Sequence, residues 1–141
     1  MRMRMPTPRR IALSSTFLLA ILSIPILPAQ DASVDPKTVP GIDAGIGPCS
    51  VDFTVNDPNG APVYDAKIRV HIAYRLMNLH KLDLEVGTNA AGKARFTGLP
   101  DKPKQGLLFR ASQGDREGSA FDDPAKTCKA NLTIALEKRP Q

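Results

Sequence analysis

The sequence predicts an all-β protein, an antiparallel seven-stranded sandwich preceded by a leader helix and a linker. Three observations carry that reading. From Cys49 onward apolar residues recur at every second position, the period of strands with one buried face. Clusters of Pro, Gly, Asn and Asp separate the alternating runs at short intervals. Two cysteines, Cys49 and Cys128, stand near the two ends of the alternating region.

The strands follow in order. Val51, Phe53 and Val55 alternate with Asp52 and Thr54, and Asp57-Pro58-Asn59-Gly60 then supplies a turn in which Gly60 is free to take positive φ. Ile68, Val70 and Ile72 alternate with Lys67, Arg69 and His71, the clearest strand in the chain. Leu82, Leu84 and Val86 alternate with Lys81, Asp83 and Glu85, and Asn89-Ala90-Ala91-Gly92 makes the next turn. Ala94 and Phe96 face inward while Lys93, Arg95 and Thr97 face out. Leu107, Phe109 and Ala111 form one side of a further strand, and residues 116–121 read as a short edge strand. Leu132, Ile134 and Leu136 close the domain. The predicted core is Val55, Ile68, Val70, Leu84, Phe96, Phe109 and Ile134. Tyr74 to His80 mixes both periods and reads either as a helical turn or as a strand running into a hairpin loop.

Upstream, residues 1–29 read as a secretory signal peptide, with a basic head to Arg10 and a modest apolar stretch to Ala29. Pro25 and Pro28 break the stretch near its exit, and cleavage after Ala29 is expected. The rival reading is an uncleaved anchor, the one case in which a membrane would be a partner. Residues 30–48, with Pro36, Pro40 and Pro48, read as an extended linker. The sandwich domain spans 49–137 and the tail 138–141. The expected location is periplasmic or secreted, in a bacterium.

The formal charge of +5 belongs mostly to the leader. From Gln30 onward 15 basic and 14 acidic side chains leave a balance of +1, so nucleic acid is not an expected partner. Cys49 and Cys128 belong to no Cys-x-x-Cys pair, and in an exported chain they most simply form one disulfide.

The run Gly60 to Val70 reads GAPVYDAKIRV, and the run Thr88 to Pro100 reads TNAAGKARFTGLP. Together these resemble the carboxypeptidase regulatory-like domain over roughly residues 50 to 137. The resemblance implies a transthyretin-like (Ig-like) β-sandwich and a non-catalytic module, often found in exported bacterial proteins, with no ligand shared across the family. Asp65 stands where the family usually has Gly, and residues 101–105 replace the family's short Gly-Tyr hairpin.

The function expected on these grounds is an exported non-catalytic module of the cell envelope, with a binding or structural role and no enzymatic activity. The alternative is a small hydrolase of transthyretin-like type, although the Tyr-Arg-Gly-Ser tail of the hydroxyisourate hydrolases is missing from a chain that ends at Gln141. No catalytic residue, metal or cofactor is expected. His71 and His80 have no companion ligands at metal-binding spacing. Asp122 and Asp123, with Asp115 and Glu117 nearby, fall short of the about six to eight oxygens that Ca²⁺ takes. The candidate binding face is basic: Lys67, Arg69 and His71 on one strand, Lys93 and Arg95 on another. Its expected partner is an envelope protein or a polyanionic glycan. A bland reading competes, in which Asp83 and Glu85 lie between those strands and neutralise them across the ladder.

The strand register makes a test of its own. Val70→Ala should destabilise the domain by roughly 1–3 kcal/mol in denaturant melts, and Arg69→Ala should stay within about 0.5 kcal/mol. Equal effects would mean a register shifted by one residue.

Overall fold

The computed structural model describes residues 37–74 and 80–141. In them the alternation resolves into two sheets. The strands are β1 (Gly41–Asp43), β2 (Cys49–Asn56), β3 (Lys67–Tyr74), β4 (His80–Gly87), β5 (Lys93–Leu99), β6 (Leu107–Gln113), β7 (Arg116–Asp122), β8 (Lys129–Ala135) and β9 (Glu137–Lys138). One sheet runs β1-β5-β2-β8 and the other β4-β3-β6-β7-β9. No helix forms among the described residues. The leader at 1–29, the start of the linker and residues 75–79 of the ambiguous stretch lie outside them.

Three expectations are corrected. The strand count rises from seven to nine, because β1 and β9 flank the predicted set. The sheets are not purely antiparallel, since β1 runs parallel to β5 and β2 parallel to β8. The expected linker is not extended as far as Pro48. Its residues 41–43 form β1, and Ile42, Ala44 and Ile46 pack against the core. Periodicity missed β1 because backbone bonds hold it rather than side-chain alternation: Arg95 N–H donates to Pro40 O at 2.9 Å and Ala44 N–H to Thr97 O at 2.9 Å. At the other end Arg139 N–H donates to Asp115 O at 2.9 Å, which ties part of the expected tail to the β6–β7 turn.

The chain passes between the sheets at turns whose chemistry is local. Asp57 Oδ1 accepts the N–H groups of Asn59 and Ala61, each at 2.9 Å. Asn89 Oδ1 accepts those of Ala91 at 3.0 Å and Lys93 at 2.9 Å. Gly92 follows at φ +69°, where a Cβ would collide with the Val55 carbonyl. Asp65 takes φ +54°, so it does occupy a left-handed position, which Asp tolerates better than most residues. Buried Thr88 completes this end, accepting from Ala66 N–H at 2.9 Å and donating to Val63 O at 2.6 Å.

All seven predicted core residues are buried. At the centre three rings join the sheets: Phe53 and Phe96 from one and Phe109 from the other, with centroids 4.7–5.8 Å apart. Cys49 and Cys128 form a disulfide with Cα atoms 4.6 Å apart. The bond sits where β2 and β8 start side by side, and Ser50 N–H donates to Cys128 O at 2.8 Å beside it. A disulfide of this kind is consistent with an exported protein. Among the described residues no helix is long and apolar enough to cross a membrane.

One inward position is not apolar. On β7 the alternation brings Gly118, Ala120 and then Asp122 toward the core, and Asp122 is only 6% exposed. Its Oδ2 has no hydrogen-bond partner in the structure. Burial, and then the charge of Asp123, raise its pKa above the ordinary carboxylate value.

Two expected outcomes follow from this packing. Replacing Cys49 and Cys128 together by Ala should cost about 2–5 kcal/mol in denaturant melts, with β2 and β8 the first strands to lose amide protection in hydrogen exchange. At Asp122 the folded state holds the proton more tightly than the unfolded chain. The group therefore costs nothing at pH values below its unfolded pKa, and its penalty grows as pH rises through the raised folded pKa. Asp122→Asn should melt higher than the parent at pH 7, and the two melting curves should converge below about pH 4.

Candidate functional site

The five basic residues expected to form one face do not share one. Lys67, Arg69 and His71 project from β3 on the outer side of the five-stranded sheet. Lys93 and Arg95 project from β5 on the outer side of the four-stranded sheet, across the sandwich. The turn at 88–92 is the reason, because it carries the chain from β4 in one sheet to β5 in the other.

Each of the five also has a neighbour. Lys67 Nζ contacts Asp65 at 2.6 Å, and that bond raises the Lys67 pKa. Arg69 pairs with Glu85, and His71 Nδ1 lies 2.6 Å from Asp83 Oδ1. Both pairs are directly opposite across the β3–β4 ladder, so the neutralising reading holds for that half of the set. The other half finds its partners on β2. Arg95 donates to Asp52 at 2.5 Å, which raises the Arg95 pKa, and Lys93 Nζ donates to the Thr54 hydroxyl.

A different basic residue stands out on the five-stranded sheet. Arg110 lies on β6 between the core residues Phe109 and Ala111, so the pleat turns it outward, and it is exposed. Its cross-strand neighbours are Arg69 on β3 and Ser119 on β7. Like charges directly opposite in a sheet repel. Glu85 relieves Arg69, whereas Arg110 has no carboxylate partner among the described residues. The sequence carried half of this signal, since alternation puts Arg110 outside, but the strand order that sets it against Arg69 is not readable from spacing.

Two shallow depressions flank the arginine pair. One, of about 540 Å³, is lined by Arg69, His71, Asp83, Glu85, Leu108 and Arg110. The other, of about 610 Å³, is bounded by Arg69, Arg110, Ser112, Glu117, Ser119 and Arg139. Arg69 and Arg110 are walls of both. The arrangement offers guanidinium N–H groups to a carboxylate, with hydroxyls and carboxylates on either side to bond neutral polar groups.

The four carboxylates weighed for calcium are split by β7. Asp115 and Glu117 lie at its first end, Asp122 and Asp123 at its last. Among the described residues no group of three or more His, Cys, Asp or Glu side chains is placed to hold a metal ion. His80 sits apart from His71 at the far end of the β3–β4 pair, its ring 5.6 Å from that of Tyr74.

No family model matches the chain, and no curated protein does. Among solved structures it is similar to 3-chlorocatechol 1,2-dioxygenase from Rhodococcus opacus 1CP, at 15% identity and a TM-score of 0.46, over 75% of this chain and 66% of that one. It is also similar to a point mutant of catechol 1,2-dioxygenase from Acinetobacter radioresistens, at 13% identity and a TM-score of 0.43, over 74% of this chain and 60% of that one. The chain thus spans less than two thirds of the length of either. These likenesses concern the β-sandwich and leave the narrower regulatory-like family unconfirmed. They also correct the expected function. Both the non-catalytic envelope module and the transthyretin-like hydrolase were inferred from the fold, and a sandwich whose solved neighbours are dioxygenases supports neither inference.

Proposed function

We propose that the outer face of the five-stranded sheet binds an anionic partner at Arg110 and Arg69. The observation that carries this reading is the pair itself: two guanidinium groups directly opposite on β3 and β6, with only Arg69 neutralised. A carboxylate laid between the two depressions would relieve the repulsion and gain charge-assisted hydrogen bonds. Arg69 strengthens the site because only its Nε is engaged by Glu85, which leaves its remaining N–H groups for a second acceptor. A carboxylate-bearing chain suits this chemistry, and a polyanionic glycan or an acidic segment of an envelope protein would supply one.

The partner is met outside the cytoplasm on this reading. Residues 1–29 are a secretory leader whose removal leaves a periplasmic or secreted bacterial protein, and the Cys49–Cys128 bond supports that route. We also propose membership of the carboxypeptidase regulatory-like family, on the two motif runs and on Asp65, whose left-handed backbone is what a position usually held by Gly requires.

Calorimetric titration with polygalacturonate at low salt tests the site. Arg110→Glu should weaken binding about tenfold or more. Replacing Lys93 and Arg95 together by Gln, on the opposite sheet, should leave it unchanged. The reverse pattern would move the binding surface to the four-stranded sheet and remove Arg110 from it.

A further inference from the structure

The same face carries an apolar feature that an anion alone does not explain. Phe121 on β7 is 58% exposed and Leu108 on β6 is 45% exposed. The two are direct partners across the β6–β7 ladder, so they form one patch. It lies one outward step along the strands from Arg110 and Ser119, which are partners in the same ladder. The Phe121 ring also lies across Gly106, where a Cβ would collide with it, so the position before β6 must stay without a side chain for the ring to rest there. The ring is thus packed against the backbone on one side while its other face stays exposed beside an unneutralised arginine.

Resting on the anion-binding reading above, we propose that the partner is an acidic polysaccharide, one sugar ring seated on Phe121 and Leu108 and the carboxylate of a neighbouring uronate on Arg110. The negative face of an aromatic ring attracts the slightly positive C–H groups on the flat side of a pyranose. Diagonal neighbours across a ladder are about 7–8 Å apart, within reach of a long side chain such as arginine. The remaining groups fit a glycan better than other polyanions. Ser112 and Ser119 offer hydroxyls, while Asp83, Glu85 and Glu117 accept hydrogen bonds from sugar hydroxyls.

Affinity electrophoresis of the full protein through gels containing polygalacturonate, polyglutamate or a neutral soluble glucan separates the possibilities. Polygalacturonate should retard the protein most. Phe121→Ala should weaken that retardation roughly three- to tenfold, Phe121→Trp should retain it, and Arg110→Gln should also weaken it. Polyglutamate should bind more weakly and be insensitive to Phe121→Ala. Equal retardation by both polyanions, with Phe121→Ala unchanged, would overturn the sugar assignment and leave the anion-binding reading standing. Retardation by the neutral glucan as strong as by polygalacturonate, lost in Phe121→Ala and kept in Arg110→Gln, would overturn the acidic class. No retardation by either polyanion, with thermal melts showing all variants folded, would overturn both readings.

Discussion

Three phenylalanines decide how this molecule is assembled. Phe53 and Phe96 from one sheet meet Phe109 from the other in a cluster of mutually tilted rings, all three fully buried. Because strand side chains alternate, fixing these rings inward fixes their neighbours outward. Phe53 sets Asp52 and Thr54 on one outer face, Phe96 sets Arg95 there beside them, and Phe109 sets Leu108 and Arg110 on the other. The charged chemistry of both surfaces is thus a consequence of core register. A slip of one residue in β6 would bury Arg110 and expose Phe109 together.

The two outer faces use that constraint differently. On the four-stranded sheet the basic residues of β5 meet polar partners on β2, Arg95 with Asp52 and Lys93 with Thr54, and the set closes on itself. On the five-stranded sheet β3 is matched to β4 in the same way, pair against pair. The matching stops at β6. Its outward residues are Leu108, Arg110 and Ser112, and they meet Phe121, Ser119 and Glu117 on β7. This half of the sheet offers the arginine no carboxylate directly across the ladder, and it leaves an aromatic ring in solvent. The contrast within one sheet, rather than net charge, is what places the proposed site on β6 and β7.

Much of the fold was legible because it rests on period. The alternation in β3 and β5, the turns at Asp57 and Asn89, and the core from Val55 to Ile134 all follow from residue type at each position. The disulfide was legible from number and expected compartment, since two cysteines in a chain read as exported leave one pairing. What spacing could not supply is adjacency. Lys93 and Arg95 looked like companions of Lys67 and Arg69 because the strands are close in sequence, yet the turn between β4 and β5 changes sheets. β1 escaped because a three-residue parallel strand on a sheet edge needs only backbone partners, and Gly41 and Asp43 show no pattern of their own. Asp122 escaped because its strand runs one residue beyond Phe121, which makes an acidic residue the last inward position.

The path of the chain explains why the two ends of the sandwich carry different duties. β2 and β8 begin together at the end that holds the disulfide, so the arrival of the chain from β1 and its crossing from β7 to β8 are locked to one another. Asp122, the 123–128 turn and the exposed loop at 101–105 belong to the same end, where the covalent bond adds to the packing of Leu99 and Leu107. A buried carboxylate without a full set of partners weakens such an end, and the cross-link supplies stability close by. The Leu108–Phe121 patch lies just outward of this region, on strands whose starts and ends the cross-linked end positions. The aromatic core does not allow the register of this sheet to shift, so the arginine without a carboxylate partner and the exposed ring stay on one face.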